Sequence, residues 1–387
     1  MIRLPYLPAV AGLFLVLFTS CGKNLKKEVP YPDKPYIIAY VHGYEDNWGE
    51  NDEKAKMITH INYAFANVID GKVVEGKPED KKNLARLNAL KKTNPKLKVL
   101  ISAGGWGWSG GFSDAVVDEQ AREVFAASAI DFMLRHKLDG VDLDWEYPGQ
   151  TGNNNTFRAE DKQNFTLILK RIREKLDSLE AISGVHYLQT IATGASQGYL
   201  DHTEMDIAHE YLDFINIMTY DFKGGWNPYT GHHSNLKVSE FDTLTNPMSA
   251  EVATAQHVAA GIPVDKLVLG FAFYGRGWQG VPAKNNGLYQ LAGGKAFGIP
   301  YKKLKDSLIN KNGFVRYWDE SASAPYLYHA DSAVFITYED PQSYAARCAF
   351  IKEKGMAGAM FWQFNQDDGD LLGALSENLP QPIKNEN

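Results

Sequence analysis

Eight short apolar runs recur between residues 36 and 364, and longer helix-like stretches separate several of them. Strand-like runs that alternate with helices predict parallel strands, because each helix returns the chain to the edge where the last strand began. The strand candidates are Tyr36–Val41, Ile58–Phe65, Val99–Ser102, Gly140–Trp145, Tyr187–Ala192, Phe214–Met218, Leu267–Phe273 and Gly358–Phe364. The helix candidates are Lys81–Lys92, Glu119–His136, Glu160–Leu179, Ala250–Ala260 and Pro341–Lys354. Eight such strands predict an α/β protein with a (β/α)8 TIM barrel.

A doubly wound open sheet is the alternative architecture for the same alternation. Such a sheet usually carries a Gly-rich phosphate-binding turn directly after its first strand. The first run of this chain continues instead as Tyr40-Val41-His42-Gly43-Tyr44, which is no such turn. The barrel is therefore favoured.

The interval between the seventh strand candidate and the helix candidate after it is longer than the regular alternation of a barrel requires. The seventh strand candidate ends near Gly275, and the next convincing helix begins only near Pro341. Because a structureless loop of that length is uncommon in a compact domain, we predict a small inserted α+β subdomain over residues 276–334. The catalytic barrel then comprises residues 36–275 and 335–380. An insert at this point rises from the C-terminal face of the barrel, where it forms one wall of a cleft.

The N-terminus has the pattern of a secretory signal. Arg3 precedes an apolar run over residues 8–18, and small residues and Cys21 follow. The run is too short for a comfortable transmembrane helix. We predict a bacterial lipoprotein signal over residues 1–20, cleaved before a lipidated Cys21; a plain signal peptide with an incidental cysteine is the alternative. The polar residues 21–35 suit a tether, so the protein is expected in the bacterial cell envelope, on the periplasmic or the outer face.

Charge and cysteine content exclude some classes of function. The formal net charge is −7, whereas a nucleic-acid-binding protein normally presents a basic face. The only cysteine besides Cys21 is Cys348, which lies among apolar neighbours in a helical pattern and is predicted to be a buried thiol. No disulfide, no cysteine metal site and no cofactor are expected.

An acidic row dominates the fourth strand candidate. Because side chains alternate along a strand, Asp142, Asp144 and Glu146 share one face, and the residues between them take the other. A closed barrel has no exposed edge, so the acids point into the barrel and rise toward its catalytic end. Carboxylates in a restricted space cannot all ionise, and at least one pKa rises, as general-acid cleavage of a glycosidic bond requires. A structural charge network or a metal site is the alternative, but no histidine or further acid cluster completes a metal set.

These residues also carry a family resemblance. The segment Asp139-Gly140-Val141-Asp142-Leu143-Asp144-Trp145-Glu146-Tyr147-Pro148 resembles the DxxDxDxE signature of glycoside hydrolase family 18, the chitinase family. Other segments resemble further family motifs, in order and at strand ends along nearly the whole chain: Ser102-Ala103-Gly104-Gly105-Trp106, Met218-Thr219-Tyr220-Asp221, Phe273-Tyr274-Gly275-Arg276 and Trp362.

The resemblance implies retaining, substrate-assisted hydrolysis of β-1,4 bonds between N-acetylglucosamine units. Glu146 is then the acid that protonates the glycosidic oxygen, and the nucleophile is the acetamido oxygen of the substrate. Asp144 holds the acetamido N–H, Asp142 shares the proton of Asp144, and Tyr220 holds the acetamido carbonyl.

The resemblance also implies a set of substrate-binding residues: Trp362, Trp106, Asp221, Arg276, Tyr147 and Met218. Core packing is the alternative for the two tryptophans, and a barrel-top salt bridge is the alternative for Asp221 and Arg276. Tyr40 and Phe65 are expected to pack beneath the site. His232 and His233 have no evident partner cluster and are interpreted as loop residues that bind no metal.

Three functions fit such a chain. A chitinase is favoured over an endo-β-N-acetylglucosaminidase acting on N-glycan cores, because those enzymes tend to lack the insertion and the Trp-Glu-Tyr-Pro continuation. A non-catalytic chitin-binding lectin is the third reading, but such lectins typically lack the acid that is present here as Glu146. The expected partners are chitin or N-acetylglucosamine oligosaccharides and a membrane reached through Cys21. The chain is expected to be monomeric and to bind no nucleic acid.

Overall fold

The computed structural model describes residues 33–43, 53–243 and 246–380. Its strands are β1 Tyr36–His42, β2 His60–Ile69, β3 Lys72–Val74, β4 Lys98–Gly104, β5 Gly140–Asp144, β6 Leu188–Gly194, β7 Phe214–Met218, β8 Leu267–Ala272, β9 Tyr274–Trp278, β10 Ala296–Pro300, β11 Val315–Asp319, β12 Ala324–His329, β13 Val334–Thr337 and β14 Gly358–Trp362. Its helices are α1 Asp80–Ala89, α2 Phe112–Ala115, α3 Glu119–Arg135, α4 Asp161–Ser183, α5 Gln197–Asp201, α6 Met205–Ala208, α7 Ala250–Ala259, α8 Tyr301–Ser307, α9 Pro341–Lys354 and α10 Asp370–Asn378.

Eight of these strands form the predicted closed barrel. They pair in parallel in the order β1, β14, β8, β7, β6, β5, β4 and β2, and β1 also pairs with β2, which closes the ring. The additional strand β3 forms an antiparallel hairpin with β2 outside the ring. The (β/α)8 TIM barrel is therefore confirmed, and all eight strand candidates lie at barrel strands.

The strands bury both of their faces, as barrel strands must. One apolar layer lies between strands and helices and includes Val141 and Leu143, both fully buried. A smaller layer fills the barrel interior and includes Ile38 and Phe214. Truncating a fully buried residue such as Leu169 on α4 to Ala is expected to cost about 2–5 kcal/mol of stability.

The long helices begin and end at residues that cap or terminate a helix. The Asp118 side chain accepts the Ala121 N–H at 2.8 Å and caps α3. Asp340 and Ser343 form a capping box ahead of α9, with proline at its first turn. The helix α4 ends at Gly184, where φ is 68°, a conformation that glycine adopts without steric cost. Among the described residues, no helix combines the length and apolar character needed to cross a membrane.

The long interval after β8 folds as a second, antiparallel sheet. Its strand order is β10, β9, β13, β12 and β11, and α8 follows β10, so the inserted subdomain has the predicted α+β composition. The seventh barrel strand ends at Ala272, earlier than predicted, because the chain from Tyr274 onward pairs with β10 and β13 instead of with the barrel. The division at residues 276 and 334 stays a prediction as a domain assignment.

Candidate active site

A cleft of about 980 Å3 opens at the carboxyl ends of the barrel strands, the face on which barrel enzymes build their sites. The barrel contributes one side, and residues Gly298 to Pro300 of the inserted sheet contribute the other. The cleft is lined by nine of the predicted site residues: Glu146, Asp144, Tyr220, Trp362, Trp106, Asp221, Arg276, Tyr147 and Met218. Tyr40 and Phe65, which were expected beneath the site, also contribute to its wall.

Asp142 lies below the cleft in the barrel interior and is fully buried. Its carboxylate accepts hydrogen bonds from the Tyr40 hydroxyl at 2.9 Å, from the Ser102 hydroxyl at 2.7 Å and from the Thr190 hydroxyl at 2.5 Å. Burial raises the pKa of Asp142, and these three hydroxyl groups oppose the rise because they stabilise the ionised form. Asp142 therefore supports the site without lining it.

Asp144 and Glu146 stand above Asp142 and are 4% and 9% exposed. Burial raises the pKa of Asp144 well above its ordinary value, and the charges of Glu146 and Asp142 raise it further. Burial also raises the pKa of Glu146 to about 7, against a smaller lowering by a hydrogen bond from Tyr147. Within the described ranges, Asp144 Oδ1 is buried without a hydrogen-bond partner. Burial thus raises the pKa of both carboxyl groups, and the pKa of Glu146 comes close to neutral pH, well above the range of ordinary carboxylates.

The first acid of the signature has a different position. Asp139 precedes β5, and its Oδ2 accepts the Val99 N–H at 2.7 Å and pairs with Lys91 Nζ at 2.6 Å. Val99 lies at the start of β4, so Asp139 joins two strands at the end of the barrel opposite the cleft. Spacing alone places four acids in one motif, but only the strand direction decides which of them reach the cleft.

Two glycines let the backbone of β4 approach the acids closely. Gly104 and Gly105 have φ values of 107° and 72°, and a Cβ atom on Gly104 would lie 2.3 Å from the backbone oxygen of Asp144. A Cβ atom on Gly105 would lie 2.5 Å from the Phe65 ring. The Gly105 N–H donates to the Asp144 carbonyl at 2.7 Å. The glycine pair therefore holds the Asp144 backbone from one side.

The segment after β7 brings an ion pair to the cleft. Asp221 accepts two hydrogen bonds from Arg276, Nε to Oδ1 at 2.8 Å and Nη2 to Oδ2 at 2.6 Å. Burial by itself raises the pKa of Asp221, but the nearby His233 ring and the Arg276 guanidinium outweigh it and hold the pKa at about 2. The charge of Asp221 in turn raises the pKa of Glu146. The predicted salt-bridge alternative for this pair is thus present in a cleft-lining position.

Aromatic rings form the floor and the rim of the cleft. Trp362 stacks on Phe65 with ring centroids 5.5 Å apart and an interplanar angle of 21°. Trp106 is 53% exposed, and its ring lies 6.4 Å from that of Tyr147. Trp226, which the sequence analysis did not identify, is 60% exposed and lines the cleft. Flat, accessible rings of this kind suit the apolar faces of sugars.

The guanidinium of Arg276 lies 5.2 Å from the Trp226 ring centroid. In the sequence, the indication of an aromatic residue at this position was a tryptophan five residues beyond Asp221. The sequence could not show the contact, because Arg276 belongs to the inserted sheet.

The adjacent histidines lie outside the helices and strands, as expected for loop residues, but each has an acidic partner that the sequence did not indicate. Both are buried, and each faces an acid from another part of the chain. His232 Nε2 lies 3.1 Å from Asp319 Oδ2, and His233 Nδ1 lies 3.6 Å from Asp221 Oδ1. The partners are 87 and 12 residues away in sequence, so local context did not reveal them.

The structure describes one of the two cysteines. Cys348 is fully buried on α9, and the predicted buried thiol is confirmed. Cys21 and the tether up to residue 32 fall outside the described residues. In the part of the chain that the structure covers, no group of three or more His, Cys, Asp or Glu side chains has the arrangement of a metal site.

Known proteins share both sequence and fold with this chain. The model of glycosyl hydrolases family 18 matches residues 38–367. Chitinase A1 of Niallia circulans is 40% identical over 397 residues, which cover 87% of this chain and 57% of that protein. The chain thus spans little more than half the length of this relative.

Solved structures agree with this match. Chitinase ChiA74 from Bacillus thuringiensis superposes with a TM-score of 0.86 at 36% identity, over 92% of this chain and 71% of that one. A family 18 N-acetylglucosaminidase from Paenibacillus barengoltzii superposes with a TM-score of 0.83 at 42% identity, over 89% of this chain and 99% of that one. The chain belongs to glycoside hydrolase family 18.

Proposed function

We propose that this protein is a chitinase that hydrolyses β-1,4 bonds between N-acetylglucosamine units by a retaining, substrate-assisted mechanism. The observation that carries the proposal is the pair Asp144 and Glu146 at the end of β5, both with raised pKa values. Glu146, with a pKa of about 7, is protonated often enough near neutral pH to donate to a leaving oxygen.

The environment of Asp144 supports a nucleophile from the substrate. A two-carboxylate retaining enzyme needs an ionised nucleophile, whereas burial and its acidic neighbours hold the pKa of Asp144 well above its ordinary value. A protonated or proton-sharing Asp144 attacks poorly, but it accepts and orders an acetamido N–H. In the proposed reaction, the acetamido oxygen attacks the anomeric carbon as Glu146 protonates the departing glycosidic oxygen. Water, deprotonated by Glu146, then opens the oxazolinium ring.

The remaining site residues have positioning and binding roles in this proposal. Tyr220 donates a hydrogen bond from its hydroxyl group to the acetamido carbonyl, and Asp142 shares the proton of Asp144 through the barrel interior. Holding the attacking oxygen close to the anomeric carbon contributes several kcal/mol in well-oriented reactions of this kind. Trp362 and Trp106 stack on sugar rings, and Asp221 and Arg276 bind hydroxyl groups. Tyr147 and Met218 line the cleft around the acetyl group.

The names of the relatives support N-acetylglucosamine polymers as substrate. One solved relative is called an N-acetylglucosaminidase, whereas the others described above are called chitinases. The test is the product profile on a chitin hexamer beside an N-linked glycopeptide, with the anomeric configuration read early by NMR.

We expect chitooligosaccharide products of β configuration and an intact glycopeptide. Early formation of the monomer alone would assign the chain to N-acetylglucosaminidase activity. Cleavage of the glycopeptide core would support the endo-β-N-acetylglucosaminidase reading, and binding without turnover would support the lectin. An α-configured first product would contradict the mechanism.

Substrate assistance makes a further demand on the substrate. Because the acetamido oxygen is the nucleophile, fully deacetylated chitosan is expected to resist hydrolysis, whereas partly acetylated chitosan is cleaved where an acetylated sugar occupies the site. Efficient cleavage of fully deacetylated chitosan would exclude the mechanism while leaving a glycosidase in place.

We also propose that the protein is held in the bacterial envelope by a lipid on Cys21. The support is the sequence of residues 1–21, which lies outside the described part of the chain. Mass spectrometry of the native N-terminus is expected to show cleavage before Cys21 and a diacylglycerol on its sulfur. An unmodified Cys21 would contradict the anchor and leave the enzymatic proposal unaffected.

A further inference from the structure

A buried ion pair lies behind the segment Met218–Asp221. Glu339 follows β13, Arg347 lies on α9, and both side chains are fully buried. The distance between Arg347 Nε and Glu339 Oε1 is 3.2 Å. The other carboxylate oxygen of Glu339 accepts the Ala272 N–H, at the end of β8, at 3.1 Å. The pair thus joins the end of the inserted sheet, a barrel strand and an outer helix.

The guanidinium of Arg347 donates hydrogen bonds mainly to backbone carbonyl groups near the cleft. Nη1 donates to the Ser234 carbonyl at 3.0 Å, and Nη2 lies 3.0 Å from Thr219 Oγ1 and 3.3 Å from the Thr219 carbonyl oxygen. Nη2 also donates to the Gly270 carbonyl, which accepts the Thr219 hydroxyl at 2.7 Å. Arg347 therefore ties the end of β7 to the neighbouring strand β8.

The carbonyl of Thr219 belongs to the peptide unit that carries the Tyr220 nitrogen. The chain turns sharply here: the Thr219 N–H donates to the Ile217 carbonyl and the Tyr220 N–H to the Met218 carbonyl, both at 2.8 Å. Asp221 then adopts a φ of 59°, a left-handed conformation that is unfavourable for a residue with a side chain. Backbone in such a conformation persists only when its surroundings hold it. Arg347 contacts the peptide unit directly before Tyr220.

A gain in stability does not by itself explain why Arg347 and Glu339 are paired in the interior. A buried ion pair is often no more stabilising than apolar residues of similar size, because both charges lose their hydration. The planar guanidinium fork, by contrast, can hold several carbonyl groups in a fixed geometry at once.

We propose that Arg347, paired with Glu339, is a positioning residue that sets the location of Tyr220 and Asp221 in the cleft from behind. It contacts no part of the cleft itself and acts through the backbone of Thr219. The catalytic consequence rests on the proposed function, whereas the effect on the position of Tyr220 does not.

The test is the double variant Arg347→Met/Glu339→Gln, which removes both charges and keeps side chains of similar length. The single Arg347→Met variant leaves an uncompensated buried carboxylate and is expected to fold poorly. We expect the double variant to fold, with kcat on a fluorogenic diacetylchitobioside lowered about 100-fold and KM little changed, because a displacement of about 1 Å in a positioning group has that effect on the transition state.

The matched control is Arg173→Met, which removes a largely buried arginine from α4. Arg173 donates to the Tyr187 carbonyl just before β6, at the end of the barrel away from the cleft. This variant is expected to keep the wild-type kcat. A folded double variant with wild-type kcat would overturn the proposal.

Crystal structures of the wild type and the double variant separate this inference from the proposed function. A shift of the Tyr220 hydroxyl by about 1 Å in the double variant supports the positioning role, even if the wild type does not hydrolyse the chitobioside. A Tyr220 that stays in place in the double variant overturns it. Inactivity of the wild type contradicts only the proposed function.

Discussion

Glu146 is 9% exposed, and burial raises the pKa of its carboxyl group to about 7. Replacing it with Gln removes the proton donor and keeps the shape of the side chain. We expect Glu146→Gln to lower kcat by about 10²–10⁴-fold or more, because that is the usual contribution of a positioned general acid. Calorimetric titration with a chitin hexamer is expected to show retained binding. Substantial residual turnover would contradict the assignment of the acid.

The same substitution has a consequence for stability. A carboxyl whose pKa is higher in the folded than in the unfolded state destabilises the fold as pH rises through the interval between the two values. For Glu146 that interval runs from 4.5 to about 7, and the penalty is complete above it. Glu146→Gln is therefore expected to raise the unfolding free energy by about 2–3 kcal/mol at pH 8.

At pH 4 the gain from Glu146→Gln should be close to zero, because Glu146 is then mostly protonated in both states. Urea unfolding at the two pH values measures the difference. Glu377→Gln on the exposed side of α10 is the control and should change neither value. Equal gains at both pH values would show that the effect does not come from ionisation.

Asp221 tunes the pH range of the proposed reaction. Its charge raises the pKa of Glu146. In the proposed mechanism, Glu146 donates from its protonated form. Asp221→Asn removes that charge and leaves Arg276 uncompensated beside the site, and both changes favour ionised Glu146. The alkaline limb of the kcat/KM profile should move down by about 1 pH unit. A limb that moves upward would exclude this coupling.

At the scale of single elements, the turn after β4 depends on glycine. An alanine at Gly104 would have to hold a φ of 107° with its Cβ atom 2.3 Å from the Asp144 carbonyl oxygen. We expect Gly104→Ala to lower the unfolding free energy by about 1–3 kcal/mol and to lower kcat, because Asp144 must move.

The chain contains a matched control for this glycine three residues later. Gly107 lies beside the same cleft, but a Cβ atom there meets nothing within 4 Å and its φ is not in the left-handed region. Gly107→Ala should therefore leave stability nearly unchanged in urea unfolding. A similar loss in both variants would show that the loss does not come from the φ and the close contact that distinguish Gly104.

The elements differ in how well the sequence predicted them. The strand β5 could be predicted because acidic and apolar residues alternate along it. This alternation also indicates which face of the strand each side chain takes. The helices α3 and α9 were predicted with nearly the bounds that the structure shows, and a capping aspartate precedes each of them. The short helices α5 and α6 were not predicted, since five and four residues carry too little periodicity to be distinguished from a turn.

At the scale of the whole molecule, the inserted sheet and the barrel are joined by buried polar contacts. Asp319 at the end of β11 accepts a hydrogen bond from the Ser239 hydroxyl at 2.6 Å, and its Oδ2 lies 3.1 Å from His232 Nε2. Burial raises the pKa of Asp319, but the contacts from His232, Ser239 and Ser321 outweigh it and lower the pKa below its ordinary range. This contribution to stability is present above pH 3.8 and is lost as pH falls.

We expect Asp319→Ala to lower the unfolding free energy by about 1–3 kcal/mol at neutral pH, since it leaves buried donors without acceptors. Hydrogen exchange should accelerate in β11 and β12 before it does in the barrel strands. Asp331→Ala, in the exposed turn between β12 and β13, is the control. Uniform acceleration of hydrogen exchange across the chain would show that Asp319 does not stabilise the inserted sheet locally.

What the sequence by itself determined was the barrel, the insertion and the row of acids, because periodicity and order along the chain carry that information. The tertiary structure decided what each acid does. Asp142 meets Tyr40 across 102 residues, and Arg347 meets Thr219 across 128. Burial and distant partners set pKa values and fix backbone geometry, and neither can be read from local sequence. One motif therefore contains a strand-joining Asp139, a buried Asp142 and a cleft-lining Glu146 with a raised pKa only once the barrel has closed.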